Sequence, residues 1–190
     1  MTALRPVFTL DDATASGLRK DQVYAMVADG QIERIGRGVY ARPDVIDPAF
    51  VSLSAATLVR ADATLCLTSA LAFHDLTDQI PAGADIAVPR GERHPAGFAH
   101  VIWHSFDTTT FRVGREVHQV PDGVSVAIYS PERTLVDAFR LRHREGSDVA
   151  HEALRRWLRR RGSSPASLLT VADSFPHARP SIRQALEALL

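Results

Sequence analysis

Residues 19–42 read RKDQVYAMVADGQIERIGRGVYAR, and the order of patterns in that stretch decides how the amino-terminal part of the chain folds. From about Arg19 to Asp29, Val23, Met26 and Val27 recur at spacings of three and four, which predicts one apolar helix face opposite a polar one. Gly30 stands where a C-terminal cap belongs. Two strand-like runs follow, Ile32 to Ile35 and Val39 to Arg42, around Gly36-Arg37-Gly38, whose glycines supply the positive φ of a tight hairpin. Upstream, Thr9 is placed to cap a short helix through Ala15, with Asp11 and Asp12 in the first turn where the helix dipole favours acids, and Ser16-Gly17 breaks it. Helix, turn, helix, hairpin is the order of a winged helix-turn-helix. In that arrangement the second helix enters the major groove of DNA and the hairpin touches the flanking backbone.

This geometry nominates specific side chains. Arg19, Lys20 and Gln22 fall in the first turn of the second helix, the part that reaches base edges, and Tyr24 lies further along its outer side. Arg and Gln make paired hydrogen bonds to guanine and adenine, whereas Lys serves a base or a phosphate equally well. Arg34, Arg37 and Arg42 decorate the hairpin, where three cations neutralise phosphates and Arg37 at the tip reaches the minor groove. The plainer reading of these residues is a solvated charged hairpin beside a helical pair.

The remaining sequence reads as a larger unit. The clearest joint is Arg42-Pro43-Asp44, where Pro interrupts both patterns, so the expected domains are 1–43 and 44–190. Pro48 to Arg60 reads as a helix, and a buried segment runs from Ala63 into a helix that Thr68 would cap. Strands are predicted over Asp85 to Val88, Ala99 to His104, Glu116 to Val120 and Val124 to Ile128, forming an antiparallel or mixed sheet. Ser130-Pro131-Glu132 is a helix start with Pro at the first position, and helices from about Asp148, Pro165 and Pro180 close the chain. The class is α+β: a small amino-terminal module, then a larger mixed domain with a helical C-terminal part.

Composition bounds the function. The chain has 190 residues, 45% hydrophobic and 23% charged, with 22 basic and 22 acidic groups, so it carries a packed core and no bulk attraction for nucleic acid. DNA binding has to come from local charge. Lys20 is its one lysine, which excludes a nuclease needing a lysine in its sheet. Neither a phosphate loop ending in Gly-Lys-Ser/Thr nor Gly-x-Ser-x-Gly occurs, and Gly146-Ser147-Asp148 lacks the downstream Asp-x-Asp of a nucleotidyltransferase. His100 and His104 are the best-spaced histidines. On a strand they stand about 13 Å apart, too far to share an ion, and no metal or other cofactor is expected. Catalysis is not expected either. The single Cys66, the absence of an apolar leader and the lack of an 18-residue apolar run point to the cytoplasm.

Two further clusters carry charge. Arg155, Arg156, Arg159 and Arg160, followed by Arg161, crowd the end of a helix whose apolar side is Val149, Ala153, Leu154, Trp157 and Leu158. They offer a partner or phosphate surface, or simply complement the helix dipole and pair with Glu152. Arg133 and Asp137, four apart, form a helix-stabilising pair contributing about 0.3 to 0.5 kcal/mol if exposed.

Several blocks resemble a known family. Gly17-Leu18, Gly30-Gln31-Ile32-Glu33-Arg34 and Gly36-Arg37-Gly38-Val39-Tyr40 look like the amino-terminal winged helix of AbiEi-type antitoxins. The resemblance continues through Leu67 to Leu76, Ile86-Ala87-Val88-Pro89-Arg90-Gly91 and Ser130 to Asp137, and so covers almost the whole chain. It implies a repressor of its own toxin–antitoxin operon, whose partners are an inverted-repeat operator, bound by two copies, and a nucleotidyltransferase-like toxin that the C-terminal domain counteracts. A direct protein–protein antitoxin, with the first module used for docking or dimerisation, is the alternative. One departure is that family members have a helix before the first one placed here, for which Met1 to Val7 is too short.

Overall fold

The computed structural model describes residues 4–42, 48–120 and 124–190. The expected joint at Pro43-Asp44 lies outside them. The chain begins with a strand that the sequence pattern did not reveal, β1 (Val7–Thr9), followed by α1 (Leu10–Ala15) and α2 (Lys20–Ala28), then β2 (Glu33–Gly36) and β3 (Val39–Ala41). Thr9 caps α1 as expected: its Oγ1 accepts from the Asp12 amide while the Asp12 carboxylate accepts from the Thr9 amide, a reciprocal capping box. The three strands form an antiparallel sheet in the order β1-β3-β2.

This small sheet is covered on both faces, and the two-residue alternation of the strands sorts the side chains. Phe8 and Tyr40 stack at 5.9 Å and pack with Ala13, Val23, Met26 and Val27 against α1 and α2. Val7, Val39 and Ala41 point the other way, onto α3 (Pro48–Val59). The opposite side of α3 sends Leu53 and Ala56 into the core of the second sheet. A helix covered on two sides is apolar all round, which is how FVSLSAATLV reads.

The second sheet is mixed, β6-β5-β4-β8-β7, built from β4 (Thr64–Leu65), β5 (Ala84–Pro89), β6 (Val101–Phe106), β7 (Arg115–Gln119) and β8 (Ser125–Tyr129). β4 runs parallel to β8 and antiparallel to β5, and β5 runs parallel to β6. Helix α4 (Leu67–Phe73) follows β4. Helices α5 (Pro131–Arg140), α6 (Arg142–Glu145), α7 (Ser147–Leu158), α8 (Pro165–Ala172) and α9 (Arg179–Leu189) then make up the helical end, packed around Leu135, Phe139, Leu154 and Trp157. The class is α+β, as expected. No helix of the described residues is long and apolar enough to cross a membrane.

Three local expectations are corrected. Thr68 does not cap α4, because the helix begins two residues before a Thr68 cap would start it, at Leu67, with Cys66 in the cap position. The orphan amide of Ser69 is satisfied instead by the Asp85 carboxylate, reaching across from β5 at 3.2 Å. The arginine-rich helix stops at Leu158, so Arg159 is its cap and Arg160 and Arg161 lie in the turn beyond. Arg133 and Asp137 are no surface pair, since both side chains are fully buried. The Arg133 guanidinium donates to Asp137 at 2.9 Å and to the Thr110 and Val113 carbonyls at 2.7 Å, and lies over the Tyr129 and Phe175 rings. Burial pushes the Asp137 carboxyl above its ordinary range, while Arg133 and Arg140 pull it back.

Candidate nucleic-acid interface

Of the two glycines expected at positive φ, Gly38 has it, at +72°, the left-handed conformation that a tight β2–β3 connection requires, while Gly36 does not and is instead the place where the Phe98 ring packs. The hairpin folds back so that β2 and its tip face the outer side of α2. Between them lies a groove of about 450 Å³, lined by Lys20, Tyr24 and Val27 from α2, Arg34, Arg37, Gly38 and Tyr40 from the hairpin, and Leu10. Three cations and two aromatic rings meet there, and among the described residues no carboxylate lines it. The Lys20 ammonium sits 5.6 Å above the Tyr24 ring, and Tyr24 is half exposed. Among the described residues Arg34 bonds only locally, donating to the Gly36 carbonyl at 3.3 Å.

The nominated residues separate in space. Lys20, Tyr24, Arg34 and Arg37 converge on the groove. Arg19 and Gln22 are exposed at the start of α2, outside its lining, and both are engaged in shaping the helix end. The Gln22 side-chain oxygen accepts from the Arg19 amide at 2.8 Å, and the Arg19 guanidinium donates to Asp21 at 3.1 Å. That bond holds the Asp21 carboxyl below its usual range. Arg42 is drawn inward: its guanidinium donates to the Leu4 carbonyl and its amide to the Pro6 carbonyl, fastening the start of the chain to β3. Its charge is thereby turned away from the groove.

The second arginine cluster is largely spent within the protein. Arg156 bonds both Glu152 and Asp78, and Arg160 donates to the His74 carbonyl with Asp75 4.0 Å away. Arg155 pairs with Glu152 at 3.6 Å. These bonds tie α7 to the segment after α4, while Arg159 is exposed.

Of the histidines, His104 is buried and bonds Asp85 at 2.9 Å, and His100 is exposed just ahead of β6. Asp85 also accepts from the Ser69 hydroxyl at 3.0 Å. This Ser-Asp-His chain is invisible in the sequence, since 16 and 19 residues separate its members. With the carboxylate in the middle, Ser69 has no imidazole beside it to take its proton, so the chain fastens α4 to β5 and β6 rather than making a nucleophile. Among the described residues, no three His, Cys, Asp or Glu side chains are grouped to hold a metal. The sequence pattern also gives no sign of Tyr40 in the groove, or of Arg60 and Arg93, which share a second hollow with Arg37.

The basic groove lies within the stretch for which a likeness to known proteins is found. Residues 3–43 match the family described as "Transcriptional regulator, AbiEi antitoxin". The amino-terminal module is therefore similar to that regulator family, the same family the sequence blocks resemble. No curated protein matches the chain. Among solved structures, the crystal structure of the RV2827C protein from Mycobacterium tuberculosis is similar over 96% of this chain and 76% of that one, with a TM-score of 0.56 and 20% identity. At that identity the likeness is one of fold.

Proposed function

We propose that the chain is a DNA-binding repressor and antitoxin of a toxin–antitoxin operon, with residues 1–43 acting as a winged helix-turn-helix reader and residues 44–190 as the antitoxin domain. The observation that carries this reading is the convergence of Lys20, Arg34 and Arg37 on one groove that no carboxylate of the described residues lines. A duplex backbone lying there would be neutralised from both sides, by the helix and by the hairpin. The strand order β1-β3-β2 with both helices on one face supports the winged-helix assignment. Arg19 and Gln22, exposed at the helix start, would exchange their local bonds to Asp21 and the Arg19 amide for base edges, whereas Arg42 serves the module's own structure. Operation in the cytoplasm, two copies on an inverted repeat, and action against a nucleotidyltransferase-like toxin follow from the family likeness.

The test is a binding titration on the DNA immediately upstream of the coding sequence, across salt concentrations, for wild type, Arg34→Ala and Arg37→Ala. Removing one phosphate interaction lowers the slope of log affinity against log salt by about 0.9. A wild type that binds this duplex no more tightly than an unrelated one, or two variants with unchanged slopes, would overturn the reading.

A further inference from the structure

The hairpin does not end in open solvent. The loop between β5 and β6 reaches it from the larger domain: the Phe98 ring lies against Gly36, and Gly97 approaches the Arg37 amide so closely that a Cβ there would stand 3.3 Å from that nitrogen. The loop is itself anchored. Phe98 meets Trp103 edge-on at 5.6 Å, His94 stacks on Trp103 at 6.2 Å, and the His94 ring bonds the Ser105 hydroxyl at 3.0 Å.

Where loop, hairpin tip and the end of α3 meet there is an open hollow of about 260 Å³ whose polar lining is Arg37, Arg60, Arg93 and His94. The Arg60 guanidinium donates to the Arg93 carbonyl at 2.9 Å and the Val59 carbonyl at 3.2 Å. Those acceptors are neutral and leave its charge uncompensated. Among the described residues no carboxylate comes within ion-pairing distance of Arg37, Arg60 or Arg93, and Glu92, the acid next along the loop, is not part of the lining. Arg37 lines both hollows, so the cations form an unbroken succession: Lys20, Arg34, Arg37, Arg60, Arg93.

We infer that the DNA-contacting surface continues from the hairpin onto the larger domain, with Arg60 and Arg93 holding the phosphates that lie beyond those met by Arg37. The inference rests on the DNA-binding reading above and extends it. A line of arginines in linked open hollows fits a phosphodiester backbone, whose charges recur along its length, better than a single small anion, which needs an enclosing pocket. Because the loop is already fixed by Phe98 and His94, holding its arginines in place costs little ordering on binding.

The test uses the full chain and the upstream duplex. Arg93→Ala keeps the backbone carbonyl that Arg60 bonds and removes no side-chain hydrogen bond or ion pair among the described residues, so there it changes charge alone. The expected result is a salt slope lower by about 0.9 for Arg93→Ala and by about 1.8 for Arg60→Ala/Arg93→Ala, with Arg93→Lys retaining the wild-type slope. Hydroxyl-radical protection is expected to disappear from sugars next to those that Arg37→Ala exposes, with the remaining footprint intact. Wild-type slope and footprint in Arg93→Ala and in the double variant, alongside a reduced slope in Arg37→Ala, overturn the inference and leave the DNA reading standing. Absence of salt-dependent binding by the wild type overturns both.

Discussion

A carbon added to Gly36 would lie 2.6 Å from two carbons of the Phe98 ring, so the hairpin and the β5–β6 loop touch where only a glycine leaves room. Gly36→Ala forces the ring off its seat against Trp103. Overpacking of this kind costs about 1–3 kcal/mol, read as a lower urea midpoint. Phe98→Ala removes the obstruction, so Gly36→Ala in that background is expected to cost clearly less than in the wild type. Equal costs in both backgrounds would show that this close approach is not the cause.

Asp137→Ala removes the counter-charge of a fully buried guanidinium. The expected loss is about 3–5 kcal/mol, far above the few tenths that an exposed pair contributes. Urea denaturation decides between them, and a loss under about 1 kcal/mol would contradict burial of the pair.

His74 gives the fold a pH dependence. Its Nε2 lies 2.7 Å from the Tyr129 carbonyl and so donates, and burial holds the imidazole below its ordinary value of 6.5 despite that bond. The unfolded chain therefore takes up the proton first, and stability present above about pH 6.5 is lost as pH falls through the lower folded value. His74→Gln keeps a donor at similar reach without titrating. The fall in urea midpoint between about pH 7.5 and about pH 5.5 should be smaller in this variant, and an equal fall would clear His74 of the effect.

Arg42→Ala separates structure from binding. Removing the charged hydrogen bond to Leu4 at the start of the chain is expected to cost about 1.5–3 kcal/mol, visible in thermal or urea unfolding. The salt slope for DNA should match the wild type, because the Arg42 guanidinium faces Leu4 and not the groove. A slope lowered by about 0.9 would return Arg42 to the interface.

Much of the fold was legible wherever a signal is local. Thr9 and Ser130 cap their helices, the Val23-Met26-Val27 face packs onto the small sheet with Val23 fully buried, and a turn at Gly38 makes the hairpin. What escaped depended on distant partners. Val7–Thr9 is a strand because β3 is there to pair with it, and Asp85 serves as the cap of a helix 16 residues away. Arg133 and Asp137 carry the spacing of a surface pair, and only the rings and carbonyls gathered around them from other segments show that they are core. The groove was legible in part, since Lys20, Tyr24, Arg34 and Arg37 come from one short stretch. Arg60 and Arg93 join them through tertiary packing, which no spacing announces.

Helix α3, packed against a different sheet on each side, couples the amino-terminal module to the larger domain. Two copies seated on an inverted repeat would each bring along a bulky body at a set angle, with no slack between grip and bulk. The distance between half-sites would then be dictated by how closely those bodies approach, and inserting a few base pairs would swing one copy around the duplex and out of reach of the other.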